Sequence, residues 1–275
     1  MTQTSKHIHH FHRHMSISYP VSVRQRLYSL VLIPLVVLVL VLVIFRTFGS
    51  SLQSHPVQIS LGYVLTALVL TFLRLGVAYF LSLVVCVPLA ILISHSARAE
   101  RILLPMFDII QSVPVLAFFP VIILLFVHYG LYNGAAIFIL FLAMLWNLVF
   151  SVVGGMRVIP QDVKSAAQIF HISGWQYVSR VLIPAVLPYL VTGSLLAFAQ
   201  GWNVIIVAEV LHTYIPGGTM AQDLFGVGSL LVNASASGNQ QLFIVTIVCM
   251  VAFIGLLNFF VWQKLLRYAE RFKFE

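Results

Sequence analysis

The sequence predicts an all-α integral membrane protein with about six transmembrane helices and both termini in the cytoplasm. Of the 275 residues, 61% are apolar and only 8% are charged, and the mean hydropathy is +1.03. In a soluble domain about a quarter of the residues are charged, so the surface of this protein is not suited to water. The basic residues lie in short clusters between long apolar runs, which is typical of membrane proteins.

Six apolar segments are long enough to cross a bilayer, which takes about 20 residues of helix. They are 29–48, 62–93, 103–127, 134–156, 185–210 and 242–263. The first segment is longer than the apolar part of a signal peptide, and no small-residue cleavage site follows it. We therefore expect it to remain as a spanning helix, so that 29–275 forms a transmembrane domain after a His-rich tail at 1–28.

The basic residues fix the predicted orientation. Thirteen of the fifteen Lys and Arg residues fall on one side of the predicted spans, and Arg46 and Arg74 are the exceptions. The loops on the other side, 49–60, 128–133 and 211–241, contain none. The positive-inside rule makes the basic side cytoplasmic. The net charge of +8 is therefore explained by orientation, and nucleic acid is not an expected partner.

A cytoplasmic loop at 159–184 is too apolar to be a free connector. Four of its apolar residues recur at the spacing of one helix face: Val163, Ala166, Ala167 and Phe170. Asp162 is placed to cap the start of this helix. Ser173 and Gln176 fit a capping box that begins a second helix, and Pro184 and Pro188 mark its transition into the next span. The first helix has little charge apart from Lys164, which favours docking on a protein over resting on lipid.

The same loop resembles the EAA loop of permeases from bacterial ABC importers. That pattern is Glu-Ala-Ala, three residues, Gly, nine residues, Ile, one residue and Leu-Pro. Here the corresponding positions are Ser165, Ala166, Ala167, His171, Val181, Ile183 and Pro184. Segment 105–120, Ser173-Gly174-Trp175-Gln176 and Ala208-Glu209 also resemble the branch that imports nitrate, taurine and sulfonates. The tail at 269–275 resembles permeases in which two such halves are fused.

The resemblance implies a pore subunit whose loop inserts into a cleft of a cytoplasmic ATP-binding subunit. The implied coupling residues are Ser165, Ala166, Ala167, Phe170, His171 and Gly174. It further implies a second permease copy or a sister permease, a periplasmic or lipid-anchored solute-binding protein, and a bacterial inner membrane. The implied solute is a small anion such as nitrate, a sulfonate, taurine or bicarbonate.

Two positions depart from the family pattern. Ser165 replaces the Glu, which removes a charge-assisted hydrogen bond to the partner. His171 replaces the Gly, and a residue with a side chain disfavours a positive φ. We therefore expect Ser173-Gly174 to supply the bend instead.

No residue pattern in the chain indicates catalysis or cofactor binding. The Gly-x-x-x-x-Gly-Lys-Ser/Thr loop that holds ATP phosphates is missing, so ATP and Mg²⁺ are expected on a partner subunit. No His-Glu-x-x-His or paired-Cys motif is present either. Clustered histidines such as those of the His-rich tail can bind Zn²⁺ or Ni²⁺, but we expect the tail to be dispensable. The alternatives are a membrane enzyme or assembly factor without ATP coupling, and a secondary carrier, which would need buried ionisable groups at mid-membrane.

Four polar residues in the spans are candidates for the substrate pathway: Arg74, Gln200, Asn203 and Glu209. Polar groups inside a membrane are often functional. The alternative for Arg74 is an interfacial or bundle-facing anchor, and the alternative for Glu209 is a caged structural carboxylate. For each of these two residues the sequence favours the structural alternative over a role in the pathway.

The fifth predicted span also contains the small-residue stripe Gly193, Ala197 and Gly201, which allows close helix approach either within the chain or in a dimer. The external loop 211–241 is long enough to contain a short helix of its own.

The predicted topology can be tested by thiol labelling in a variant without Cys86 and Cys249. Single cysteines at Ser54 and Ser235 should react with an impermeant reagent added outside intact cells. A cysteine at Gln168 should react only after the inner face is exposed. Labelling of position 168 from outside would contradict the six-span topology.

Overall fold

The computed structural model describes residues 61–95, 97–172, 174–215 and 217–272. These residues are helical almost throughout and contain no strand, which confirms the all-α class for this part of the chain. The α-helices are Leu61–His95 (α1), Ala97–Ser112 (α2), Phe119–His128 (α3), Tyr132–Arg157 (α4), Gln161–Ile169 (α5), Gly174–Tyr177 (α6), Ile183–Glu209 (α7), Val227–Ala236 (α8), Gln240–Leu257 (α9) and Gln263–Ala269 (α10).

Four helical segments are individually long and apolar enough to cross a membrane. They are Leu61–Ile93, Tyr132–Arg157, Val178–Glu209 and Gln240–Phe272. A π-helical turn at Val178–Leu182 leads into α7, and another at Asn258–Trp262 joins α9 to α10. These segments match four of the predicted spans. The predicted span 29–48 and the His-rich tail 1–28 lie outside the described residues.

The predicted span 103–127 is wrong as a single helix. Helical segments Arg98–Ser112 and Val115–His128 meet there at an angle of 82°. The break lies at Val113 and Pro114, and Pro114 adopts the extended conformation with ψ of 125°. Proline has no amide hydrogen to donate and disfavours the helical conformation of the residue before it. An apolar run long enough for one span is therefore divided into two short helices.

Helix α4 lies at the centre of the bundle and packs against α1 and α7. Side chains buried between these helices include Leu75, Ile139, Met144, Leu148 and Ile205. The final segment Gln240–Phe272 is peripheral, because only 6% of its most apolar stretch is buried. The described bundle therefore has a packed centre and an apolar outer surface that suits lipid or other membrane subunits.

The small-residue stripe on α7 faces α4 and α1 of the same chain, and its three residues are buried. A Cβ atom on Gly193 would lie 2.5 Å from Ser151 Cβ and 3.2 Å from the Asn147 carbonyl oxygen. On Gly201 it would lie 2.6 Å from Leu75 Cδ2. The stripe thus serves packing within the chain, and these residues leave no room for a second subunit.

Substitution of either glycine by a large residue should destabilise the bundle. Gly193→Leu and Gly201→Leu should each lower the free energy of unfolding by at least about 1–3 kcal/mol, because the added atoms overlap existing ones. Gly76→Leu on α1 is the matched control, since nothing lies within 4 Å of a Cβ atom there. Thermal unfolding in detergent measures the effect. Equal stability of the three variants would contradict the packing described.

Candidate functional site

The loop between α4 and α7 forms the predicted short helix α5, followed by a sharp turn. Pro160 occupies the N-cap position, so the side-chain cap predicted at Asp162 is wrong. Asp162 lies instead in the first turn of α5, where its negative charge complements the helix dipole. Gln176 lies in α6, while Ser173, the other residue of the predicted capping box, is outside the described residues.

Helix α5 ends in a Schellman motif centred on His171. The amide of His171 donates to the Gln168 carbonyl at 3.0 Å, and the amide of Ile172 donates to the Ala167 carbonyl at 2.8 Å. His171 has a φ of 51° and Gly174 a φ of 57°. The expectation that His171 would avoid a positive φ is therefore wrong. The two hydrogen bonds hold His171 in the conformation that glycine adopts more easily, at a cost of about 1–2 kcal/mol.

The predicted apolar face of α5 is divided between two environments. Ala167 is buried and the half-buried Val163 packs against the core of the chain. Phe170 is 74% exposed and Ile169 is 73% exposed. Ser165 and Ala166 are exposed as well. Helix α5 is thus attached to its own chain through Val163 and Ala167. It presents Ile169 and Phe170 outward from a fixed turn.

A buried ion pair lies at the opposite, predicted outer end of the bundle. Arg74 Nη1 on α1 donates to Glu209 Oε1 at the end of α7 at 2.8 Å. Thr71 Oγ1, one helical turn away, donates to the same oxygen at 2.7 Å. Arg74 also donates to Asn133 Oδ1 at 2.9 Å and to the Phe225 carbonyl at 3.0 Å. The two charges therefore neutralise each other, and Thr71, Asn133 and the Phe225 carbonyl provide further hydrogen bonds.

Glu209 also organises the start of α8 in the predicted external loop. The Gly228 amide donates to Glu209 Oε2 at 2.7 Å, and the Val227 amide donates to Thr71 Oγ1 at 3.0 Å. A helix leaves its first amides without partners inside the helix, and a carboxylate is favourable at this positive end. A Cβ atom on Gly228 would lie 2.7 Å from the Ile205 carbonyl oxygen. Glycine at this position permits the close approach.

The sequence prediction identified Arg74 and Glu209 separately but missed their partners. Thr71 lies three residues before Arg74, a spacing that places both on one helix face, and Asn133 adjoins the start of an apolar span. The sequence therefore contained a signal for Thr71 and for Asn133 as partners of the pair. The contacts of Gly228 have no signal in the sequence, because a loop of 17 residues, 210–226, separates α7 from α8.

Gln200 and Asn203 lie on a different part of α7. Both are exposed, whereas Ala197 and Gly201 are buried. The structure therefore keeps these two amides apart from the Arg74–Glu209 pair instead of gathering the four candidate residues in one site. Among the described residues, no group of three or more His, Cys, Asp or Glu side chains is placed to hold a metal ion.

The ion pair can be tested by comparing single and double substitutions. Glu209→Leu should lower stability by about 3–5 kcal/mol, because it leaves the Arg74 charge buried without its partner. Arg74→Met combined with Glu209→Leu should be less harmful than Glu209→Leu alone. Glu100→Leu is the control, since Glu100 forms an exposed pair with Arg157 that contributes about 0–1 kcal/mol. A Glu209→Leu variant as stable as Glu100→Leu would contradict a structural role of the pair, and a double variant less stable than Glu209→Leu would contradict the unpaired charge as the cause.

Known proteins provide an independent comparison. The chain is 32% identical over 184 residues to the nitrate import permease protein NrtB of Leptolyngbya laminosa, which covers 67% of this chain and 61% of that protein. It is 27% identical over 182 residues to the bicarbonate transport system permease protein CmpB of Synechococcus elongatus, covering 66% and 60%. The matched part thus spans about three fifths of these relatives.

A further relative is the taurine transport system permease protein TauC of Escherichia coli, which is 27% identical over 149 residues, 54% of this chain and 53% of that protein. A solved structure of the MetNI methionine ABC transporter in an inward-facing conformation supports the same fold. Its matched chain gives a TM-score of 0.64 at 18% identity and covers 76% of this chain and 97% of that one.

The profile of one protein family matches residues 82–266, the part that contains α4, the α5 turn and α7. Because this match extends over two thirds of the chain, the protein belongs to the family of binding-protein-dependent transport system inner membrane components.

Proposed function

We propose that this chain is a pore-forming permease subunit of an ATP-driven importer in a bacterial inner membrane. The observation that carries the proposal is the exposed pair Ile169 and Phe170 at the end of α5. Two large apolar side chains on a rigid turn between membrane spans are suited to a hydrophobic groove on another protein. We infer that the groove belongs to a cytoplasmic ATP-binding subunit, which supplies ATP and Mg²⁺.

The proposed docking surface consists of Ser165, Ala166, Ile169 and Phe170, which are all exposed. Three further residues hold this surface in position: Ala167, His171 and Gly174. Ala167 packs on the chain itself, and His171 and Gly174 provide the backbone turn. Closure of the ATP-binding subunits would move this surface, and α5 would transmit the movement through Val163 and Ala167 to the spans.

The solute pathway is proposed to run along the exposed face of α7 that carries Gln200 and Asn203. Amide side chains facing hydrocarbon would lose their hydrogen bonds, so this face is suited to water or to another polar surface. A second copy of the chain or a sister permease on this side would enclose a polar pathway. A solute-binding protein on the outer face would deliver the solute.

The proposed solute is a small anion, of the kind named for the relatives that transport nitrate, bicarbonate and taurine. Arg74 is already paired with Glu209. We therefore propose that the amides of Gln200 and Asn203 contact the solute, while Arg74 and Glu209 maintain the structure of the outer end.

The coupling proposal can be tested with the double substitution Ile169→Asp and Phe170→Asp. The full chain should still insert and fold, because both side chains are exposed. Recovery of the ATP-binding subunit with the purified permease should fall at least about tenfold, as for apolar residues at an interface centre. Solute-stimulated ATP hydrolysis should be lost with it.

The control is Met220→Asp, which places the same charge at an exposed apolar residue of the external loop. It should leave recovery of the ATP-binding subunit unchanged. Ala167→Trp is less informative, since Ala167 is buried against its own chain and the substitution would disturb folding. Full recovery of the ATP-binding subunit with the double variant would contradict the proposed coupling surface.

A further inference from the structure

A cleft that is distinct from the proposed docking surface lies beside α5. It has a volume of 330 Å³ and lies between the loop helix, the turn that precedes α7 and the last described turn of the chain. Arg180 and Arg271 line it together with Val163, Pro184 and Phe272. The turn before α7 and the last described turn, which are far apart in the sequence, therefore each bring a positive charge to one apolar cavity.

Among the residues that the structure describes, neither arginine has an acidic partner. Elsewhere in the described residues Arg74 pairs with Glu209, and Arg157 pairs with Glu100. Across 61–95, 97–172, 174–215 and 217–272, no carboxylate forms an ion pair with Arg180 or Arg271. Both residues are exposed. Two like charges at one cleft repel each other, so an anion bound there would be favoured by both.

The position of the cleft indicates where its anion comes from. Arg180 lies in the π-helical turn Val178–Leu182, at the end of the span Val178–Glu209 that the charge distribution predicts to be cytoplasmic. Pro184 and Phe272 give the cavity an apolar wall, and the predicted topology places this end of the span near the cytoplasmic head groups. A free inorganic anion would make no use of such a wall, whereas a phospholipid has both a phosphate and acyl chains.

We propose that this cleft binds an acidic membrane phospholipid, whose phosphate lies between the guanidinium groups of Arg180 and Arg271. Basic pockets between membrane helices on the cytoplasmic side are suited to such head groups. The bound lipid would connect the last described turn to Val163 on α5. It would thereby restrain the helix that we propose to couple the permease to its ATP-binding subunit, although lipid binding itself does not depend on that coupling.

The proposal can be tested by native mass spectrometry of the full chain in neutral detergent with added phosphatidylglycerol or phosphatidylcholine. The unmodified protein should retain phosphatidylglycerol preferentially. The R180Q/R271Q variant should bind it roughly 30-fold more weakly, since each basic residue near a membrane surface contributes about fivefold. R271Q alone, which removes one of the two charges, should give about a fivefold loss.

R267Q is the matched control, because Arg267 lies on α10 and bonds to the Gln263 carbonyl instead of lining the cleft. It should bind phosphatidylglycerol as the unmodified protein does. Unchanged binding by R180Q/R271Q would overturn the proposal. Displacement of the lipid by millimolar inorganic phosphate would identify a site for a free anion instead. Loss of the ATP-binding subunit in R180Q/R271Q with unchanged lipid binding would show that the arginines face a protein.

Discussion

The ion pair and hydrogen bonds of the Glu209 carboxylate are the interactions on which the predicted outer half of the structure depends. The carboxylate is fully buried and receives hydrogen bonds from Thr71, Arg74 and the Gly228 amide. A buried carboxylate and the first amides of a buried helix need hydrogen-bond partners within the protein. Each of these groups therefore requires the others, and α1, α7 and α8 are fixed together at this end. Through Asn133, Arg74 extends the same network to the start of α4.

The polar network and the small-residue stripe fix α7 in two different ways. At the predicted outer end α7 is held by charge and hydrogen bonds. Along its length Gly193 and Gly201 allow α4 and α1 to approach so closely that dispersion contacts replace the missing side chains. In lipid, where burial of apolar surface supplies little driving force between helices, both kinds of contact are needed. The result is a firmly packed centre whose outer surfaces remain available to other subunits.

The α5 turn applies the same principle on the predicted cytoplasmic side. Val163 and Ala167 attach the helix to the bundle, and the Schellman hydrogen bonds fix its end. His171 accepts an unfavourable backbone conformation there because two hydrogen bonds depend on it. A rigid turn of this kind can hold Ile169 and Phe170 in one orientation. In the proposed function, that rigidity lets a movement of the partner reach the spans with little loss.

Composition, apolar run length and charge asymmetry determined the membrane class, four of the spans, the predicted orientation and the position of the α5 helix, because these properties depend on local residue patterns. The sequence also indicated the small-residue stripe, whose spacing is visible along one helix. Only the tertiary structure decided what that stripe faces, since packing partners lie on other helices. It likewise revealed that Pro114 breaks a span of sufficient length, that His171 takes a positive φ, and that Arg74 and Glu209 neutralise each other. Those two residues are 135 positions apart in the chain, so their pairing arises from the way the helices assemble and leaves no local pattern.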